Sequence, residues 1–399
     1  MSETPNRHGI WIPIVSGAFL MLATLPGRTQ GLGLITEPLL TEFHLTREGF
    51  AQMNLWATLI GSLACLPAGT WLDRRGPRGL TILLLSSLAV VVWTLSAYHA
   101  PSAESVSLRL FILILLTRAL GQSALSVLSI GVASSAFHKE QSRPAAIYAV
   151  LLSILFMVSF GVLGATIRGS GWRTAWEGIS LFLMMLTPLA FLLQKRLIRS
   201  PTAHPQSGLT LNQCIRQPVF WVYCSGICLF AGVQAGIGLF NEALLGERGF
   251  DRETYHHFIA GTAIIALLGQ ALGGGSRWLP LRGWLGFALV AQGIGLAGFK
   301  FISNQGQLWL FASIMGITGG IITVAFFAIW PESFGRRHLG RIMGAVQTLS
   351  VLSSSAGPLL LERGATLYGS FSQCLSAAAP LSILIGLFSF FLKPASDHD

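Results

Sequence analysis

The sequence predicts an all-α integral membrane protein: twelve transmembrane helices in two pseudo-symmetric six-helix halves. Three observations carry this. Twelve apolar runs are long enough to span a bilayer, only 11% of the 399 residues are charged while 52% are hydrophobic, and a segment near the start recurs about 205 residues later. Soluble proteins carry about a quarter charged residues. The deficit excludes an ordinary cytosolic enzyme, a disordered tail and a nucleic-acid binder. The net charge of +10 therefore has to be explained by where the charges sit.

A helix needs about 20 apolar residues to cross the hydrocarbon core. The first run, 10–42, follows a polar start, is too long for the apolar part of a signal peptide, and carries a kink signal at Pro26-Gly27. Runs 50–72 and 77–98 are separated by a short basic loop, and 106–136 contains Arg118. Runs 144–168 and 175–197 complete a first half, 1–197. A polar, proline-bearing linker follows at 198–217, and the second half is 218–399, with runs 218–245, 254–279, 283–302, 307–331, 338–362 and 371–392.

Basic residues gather at one set of loops, with Arg74, Arg75, Arg78, Lys139, Arg277, Arg336, Arg337, Arg341 and Lys393 among them, while acidic residues favour the opposite ends. By the positive-inside rule both termini are cytoplasmic, and the positive charge reports topology in the cell inner membrane. The five cysteines are scattered, four of them in apolar runs, so neither a disulfide framework nor a metal site is expected.

The repeat supports the division into halves. Residues 31–48 (GLGLITEPLLTEFHLTRE) and 236–253 (GIGLFNEALLGERGFDRE) agree at half of their positions, including Gly31/Gly236, Glu37/Glu242, Glu42/Glu247 and Arg47/Arg252. Two similar halves in parallel orientation are one of the architectures that place a substrate site at the bilayer midplane between repeats.

The loop after the second run reads GTWLDRRGPRG. Gly69, Asp73, Arg74, Gly76 and Arg78 stand where the signature of the major facilitator superfamily has them, and the twelve runs extend the resemblance over the whole chain. The resemblance implies transport by alternating access, with the two halves rocking about a central site. It implies a gating role for these five residues, Asp73 meeting the start of the eleventh helix, where the helix dipole favours negative charge. Residues 27–34 with the 69–79 loop further resemble the anion:cation symporter branch, although Gly27 stands where that branch has an aspartate. FGRRHLGRIMG at 334–344, with Gly357-Pro358, resembles bacterial monocarboxylate-porter-like proteins. Both branches move organic anions.

Two arginines fall inside spans. An arginine at bilayer depth costs at least about 2.5–3.5 kcal/mol unless it faces a cavity or a partner, and no Asp or Glu lies near the middle of any run. Arg28 and Arg118 are therefore expected to face a water-filled cavity that receives an anion, gripping a carboxylate through the guanidinium fork. Arg28 also breaks the repeat, its counterpart being Val233. Further substrate-binding candidates are Gln122, one turn from Arg118; Asn54 and Tyr148; Gln234 and Asn241, seven apart on one helical face; and Phe327 as a cavity wall. Neither a cofactor nor a metal is expected, and no enzyme chemistry finds its residues.

The sequence thus predicts a monomeric transporter of a small organic anion, most simply a carboxylate. Its partners would be that anion, the lipid bilayer and, for proton coupling, a proton carried by an acid such as Glu37 or Glu242; nucleic acid is not among them. The alternatives are an exporter of amphipathic drugs and a transport-inactive membrane sensor.

Overall fold

In the computed structural model, residues 7–99, 103–136, 142–199, 208–275 and 279–392 are described. Part of the expected linker (200–207) and the expected cytoplasmic residues Lys139, Arg277 and Lys393 lie outside them. Each expected run coincides with helix. The helices are α1, in pieces Arg7–Leu22, Leu25–Gly27, Thr29–Gly33 and Thr36–Glu42; α2, Arg47–Ser62 and Cys65–Arg75; α3, Pro77–Ala97; and α4, Ala103–Thr117, Arg118–Leu125 and Ser126–Ser134. They continue with α5, Arg143–Ser170; α6, Trp172–Arg199; α7, Pro218–Glu247; α8, Arg252–Gly275; and α9, Leu281–Gly298. The last three are α10, Gln305–Phe334; α11, Leu339–Tyr368; and α12, Phe371–Phe391. Among the described residues nine helices are long and apolar enough to cross a membrane. The shortfall from twelve includes α1, which is apolar but divided, and α11, which carries the polar residues Gln347, Ser350 and Ser354.

Contacts group the chain into two units. The first is Met1–Ala136, Leu151–Gly208 and Arg336–Thr348; the second is Phe137–Val150, Leu209–Gly335 and Leu349–Asp399. The first unit has a core around Leu84, Leu88, Val92, Leu128 and Trp176, where α3, α4 and α6 meet. The second has one around Leu296, Phe299, Phe311 and Met315, where α9 and α10 meet. Close backbone approach, the means by which helices associate in lipid, is frequent: a Cβ on Gly269 of α8 would stand 2.2 Å from the Ile317 carbonyl oxygen of α10.

The sequence repeat has a structural meaning in each unit. Ile35 (φ −114°, ψ 6°) and Phe240 (φ −103°, ψ 18°) occupy equivalent positions, and both interrupt the helix there. The two matching glutamates tie the end of the first helix of a half to the start of its last. Glu42 accepts from Trp172 Nε1 at 3.0 Å and pairs with Arg173 at the start of α6. Glu247 accepts from the backbone amides of Phe371 (2.9 Å) and Ser372 (3.3 Å) at the start of α12. These amides have no partner within their own helix, and a carboxylate is favoured there by the helix dipole. A Glu247→Ala variant is expected to lose about 1 kcal/mol, as for other lost caps. A lower unfolding midpoint in detergent checks this; an unchanged midpoint would show that water replaces the carboxylate without cost.

Candidate functional site

The first span is more than kinked at Pro26-Gly27. Its helix ends at Leu22, a single tight turn covers Leu25–Gly27, and Arg28 is extended (φ −86°, ψ 153°) before helix resumes at Thr29. The fixed φ of Pro26 suits the first turn of a helix and its missing N–H ends the preceding ladder. Nothing similar occurs at the equivalent place in α7, which runs unbroken from Pro218 until its distortion at Phe240. The break and the charge of Arg28 thus occur together, in one half alone.

Arg28 is half-buried. Its Nε donates to Thr24 Oγ1 at 2.6 Å, and its Nη2 lies 2.7 Å from Met21 Sδ and 3.4 Å from Ser126 Oγ. The guanidinium stands 5.3 Å from the centre of the Phe156 ring, a cation–π arrangement. Sequence reasoning missed these four neighbours. Thr24 and Met21 lie one and two turns before Arg28 and could have been found by spacing, but Ser126 and Phe156 come from α4 and α5.

Arg118 opens a widened π-type turn, Arg118–Leu125, in the middle of α4. Such turns favour functional positions. The side chain is only 1% exposed. Its Nη1 donates to the Gly27 carbonyl (2.8 Å), Gln122 Oε1 (2.7 Å) and Thr29 Oγ1 (3.2 Å), and its Nη2 to Asn54 Oδ1. Three of the predicted residues, Arg118, Gln122 and Asn54, therefore form one cluster around the broken end of α1. The prediction of a guanidinium open to a water-filled cavity does not describe Arg118. Neutral oxygens from three helices hold its two terminal nitrogens inside the first unit, Nε is buried without a hydrogen-bond partner, and among the described residues no carboxylate pairs with the group. Two glycines make this approach possible. A Cβ on Gly27 would stand 2.1 Å from the Thr117 carbonyl oxygen, and one on Gly121 would stand 3.2 Å from the Gly27 Cα.

The remaining candidates lie in the second unit. Tyr148 is fully buried and meets Phe327 edge-on, with ring centres 4.8 Å apart. Gln234 is half-buried against Gly319 of α10, and Asn241 is 5% exposed. The distortion at Phe240 falls between the last two, so their spacing of seven no longer implies a shared helical face. Of the two acids that could carry a coupling proton, Glu37 is exposed, and the side chain of Glu242 lies outside the described residues.

The 69–79 segment, expected as a loop, is the end of α2 and the start of α3, joined at Gly76. Asp73 accepts from the backbone amides of Gly340 at 2.7 Å and Arg341 at 2.8 Å, at the start of α11. A Cβ on Gly69 would stand 2.1 Å from the Gly340 carbonyl oxygen, so the two helices approach at contact distance. Gly76 ends α2 with φ +73°, a conformation that favours glycine. Arg78 is half-buried; Arg74 is exposed and, among the described residues, pairs with no carboxylate.

Residues 18–358 match the sequence model of the Major Facilitator Superfamily. A relative from Escherichia coli K12, a probable L-galactonate transporter, is 29% identical over 133 residues, which is 31% of this chain and 28% of that protein. The match thus spans less than a third of the relative's length. Among solved structures, the human organic anion transporter TETRAN superimposes with a TM-score of 0.68 at 16% identity, covering 97% of this chain and 100% of the other. The Escherichia coli fucose:proton symporter gives 0.68 at 14% identity, covering 96% and 98%. At these identities the two structures speak for the fold.

Proposed function

The chain belongs to the Major Facilitator Superfamily, and from that premise we propose that this multi-pass membrane transporter moves a small organic anion, a carboxylate, with Arg28 as the group that receives its charge. The observation that carries the proposal is the coincidence of a half-buried arginine with a helix break found in one half alone. Broken helices build the substrate sites of many transporters, because the break puts irregular backbone and a charged side chain where a ligand can use them. The partial match to a protein named for L-galactonate, a sugar acid, supports the same substrate class.

In this reading Arg28 binds the carboxylate, Gln122 and Asn54 shape the surroundings through Arg118, and Gln234, Asn241, Tyr148 and Phe327 are the candidate substrate contacts within the second unit. Asp73, with Gly69, Arg74, Gly76 and Arg78, acts as a latch on the start of α11 that opens and closes as access alternates. The protein works as a monomer in the inner membrane with both termini cytoplasmic, as its basic loops indicate. Coupling to a proton would use an acid such as Glu37 or Glu242.

Ligand-dependent thermal stabilisation of the purified protein tests the proposal, comparing wild type with Arg28→Ala over mono- and dicarboxylates, sugar acids, neutral sugars and lipophilic cations. One carboxylate class is expected to stabilise the wild type. The variant should bind it at least about tenfold more weakly, since a hydrogen bond to a charged group contributes about 1.5–3 kcal/mol. Stabilisation of both proteins alike by neutral or cationic compounds would overturn the proposal in favour of an exporter of amphipathic compounds. Carboxylate binding without flux in liposomes would identify a sensor.

A further inference from the structure

We infer that Arg118 is a positioning residue: it anchors the broken backbone of α1 through the Gly27 carbonyl and so sets where Arg28 presents its charge, without touching the transported anion itself. The consequence for binding rests on the anion reading above; the anchor does not.

Four observations support it. The guanidinium is 1% exposed, inside the first unit. Its nearest acceptors are the Gly27 carbonyl, Thr29 Oγ1, Gln122 Oε1 and Asn54 Oδ1, so both terminal nitrogens already have partners. In an unbroken helix the Gly27 carbonyl would accept from the amide four residues on. At the break the helix resumes only at Thr29, its first regular bond running from the Leu32 amide to the Arg28 carbonyl, one residue past Gly27, and Arg118 supplies a donor to the Gly27 carbonyl. Finally, the contact is built at close range, with Gly27 lying against Thr117 and Gln122 in the widened turn of α4.

The geometry has a direct effect on Arg28. The anchored carbonyl belongs to the residue immediately before it, and the Arg28 side chain folds back over the same turn to Thr24 and Met21. A shift of that turn moves the guanidinium with it. The planar fork matters here, because its two terminal nitrogens hold acceptors on α1, α2 and α4 in one fixed geometry, whereas an ammonium donates from a single point on a flexible stem. Pairing of a buried arginine with backbone and amide oxygens is one of the arrangements that makes such a charge tolerable at membrane depth.

Amide hydrogen exchange of the ligand-free protein in detergent tests the assignment. Peptides covering 25–34 would be compared in wild type, Arg118→Gln and Arg28→Gln, with a peptide from α9 as control. Arg118→Gln is expected to raise exchange across the break by about tenfold or more, since loss of a local anchor lowers local opening free energy, and to weaken binding of L-galactonate or whichever carboxylate stabilises the wild type. Arg28→Gln should weaken binding and leave exchange at the break as in wild type. If Arg118→Gln does not purify folded, Arg118→Lys serves instead; it keeps the charge, loses the fork, and should raise exchange several-fold. Wild-type exchange at the break in the Arg118 variant overturns the assignment whatever its affinity, because a residue that contacts only the anion cannot protect an empty site. If no carboxylate stabilises the wild type, the anion reading fails, and the ligand-free exchange still decides the anchor.

Discussion

Gly27→Leu is expected to abolish transport and to destabilise the protein strongly at the break in α1. Even the first atom of a side chain has nowhere to go. A Cβ at this position would stand 2.1 Å from the Thr117 carbonyl oxygen and 2.7 Å from the Gln122 amide nitrogen. Both are backbone atoms within the widened turn, so neither can rotate aside, and α1 must move away from α4. Overpacking a tight contact costs about 1–3 kcal/mol where side chains can adjust, and here they cannot. The shift also pulls the Gly27 carbonyl off Arg118, leaving a buried charge short of a partner. The equivalent residue in the second half provides the control. A Cβ on Gly232 meets first the Ser353 hydroxyl at 3.0 Å and then the Ser353 carbonyl at 3.2 Å, a contact that a small displacement relieves. Gly27→Ala should therefore lower the unfolding midpoint and uptake into proteoliposomes far more than Gly232→Ala. Equal effects would show that the break in α1 is not held by this contact.

Asp73→Ala is expected to reduce transport by about tenfold or more, with Asp73→Asn in between. The two amides that Asp73 accepts from, those of Gly340 and Arg341, stand at the N-terminal end of α11, where backbone donors lack intrahelical partners. A charged acceptor there gains about 1.5–3 kcal/mol per hydrogen bond and a further contribution from the helix dipole. Alanine removes both bonds. Asparagine keeps one oxygen acceptor, loses the charge, and turns an amide group toward donors. The contact of Gly69 with the Gly340 carbonyl survives either change, so the helices should remain adjacent and the protein folded. The defect should appear in the rate of transport more than in the affinity for substrate, which uptake kinetics separate. Wild-type kinetics in Asp73→Ala would rule out a latch role for the carboxylate.

Features that depend on local or strictly periodic information were legible in the amino-acid order alone. Span number and position follow from run length, because a bilayer of fixed thickness sets one threshold for every helix. The repeat marked positions that do equivalent work in both halves. Ile35 and Phe240 interrupt their helices at the same place, and Glu42 and Glu247 hold the first turns of α6 and α12. The loop carrying Asp73 was legible because its glycines and charges are adjacent in the chain.

The difference between the two intramembrane arginines emerges in the folded arrangement and nowhere earlier. From the sequence they were alike, two buried cations without an acid nearby. Arg118 draws its acceptors from Gly27, Asn54 and Gln122 on three different helices, and apart from the one-turn spacing to Gln122 no periodicity encodes such a meeting. Arg28 draws Ser126 and Phe156 from α4 and α5 in the same way. The widened turn at Arg118–Leu125 and the break at Leu25–Gly27 meet at one hydrogen bond, from Arg118 to the Gly27 carbonyl, and at close glycine contacts. Proline and glycine signalled a kink but not the partner that holds it. Along a single helix a buried arginine looks for an anion; in the folded unit neutral oxygens from three helices hold the terminal nitrogens of Arg118, while Arg28, half-buried, stands at the break itself.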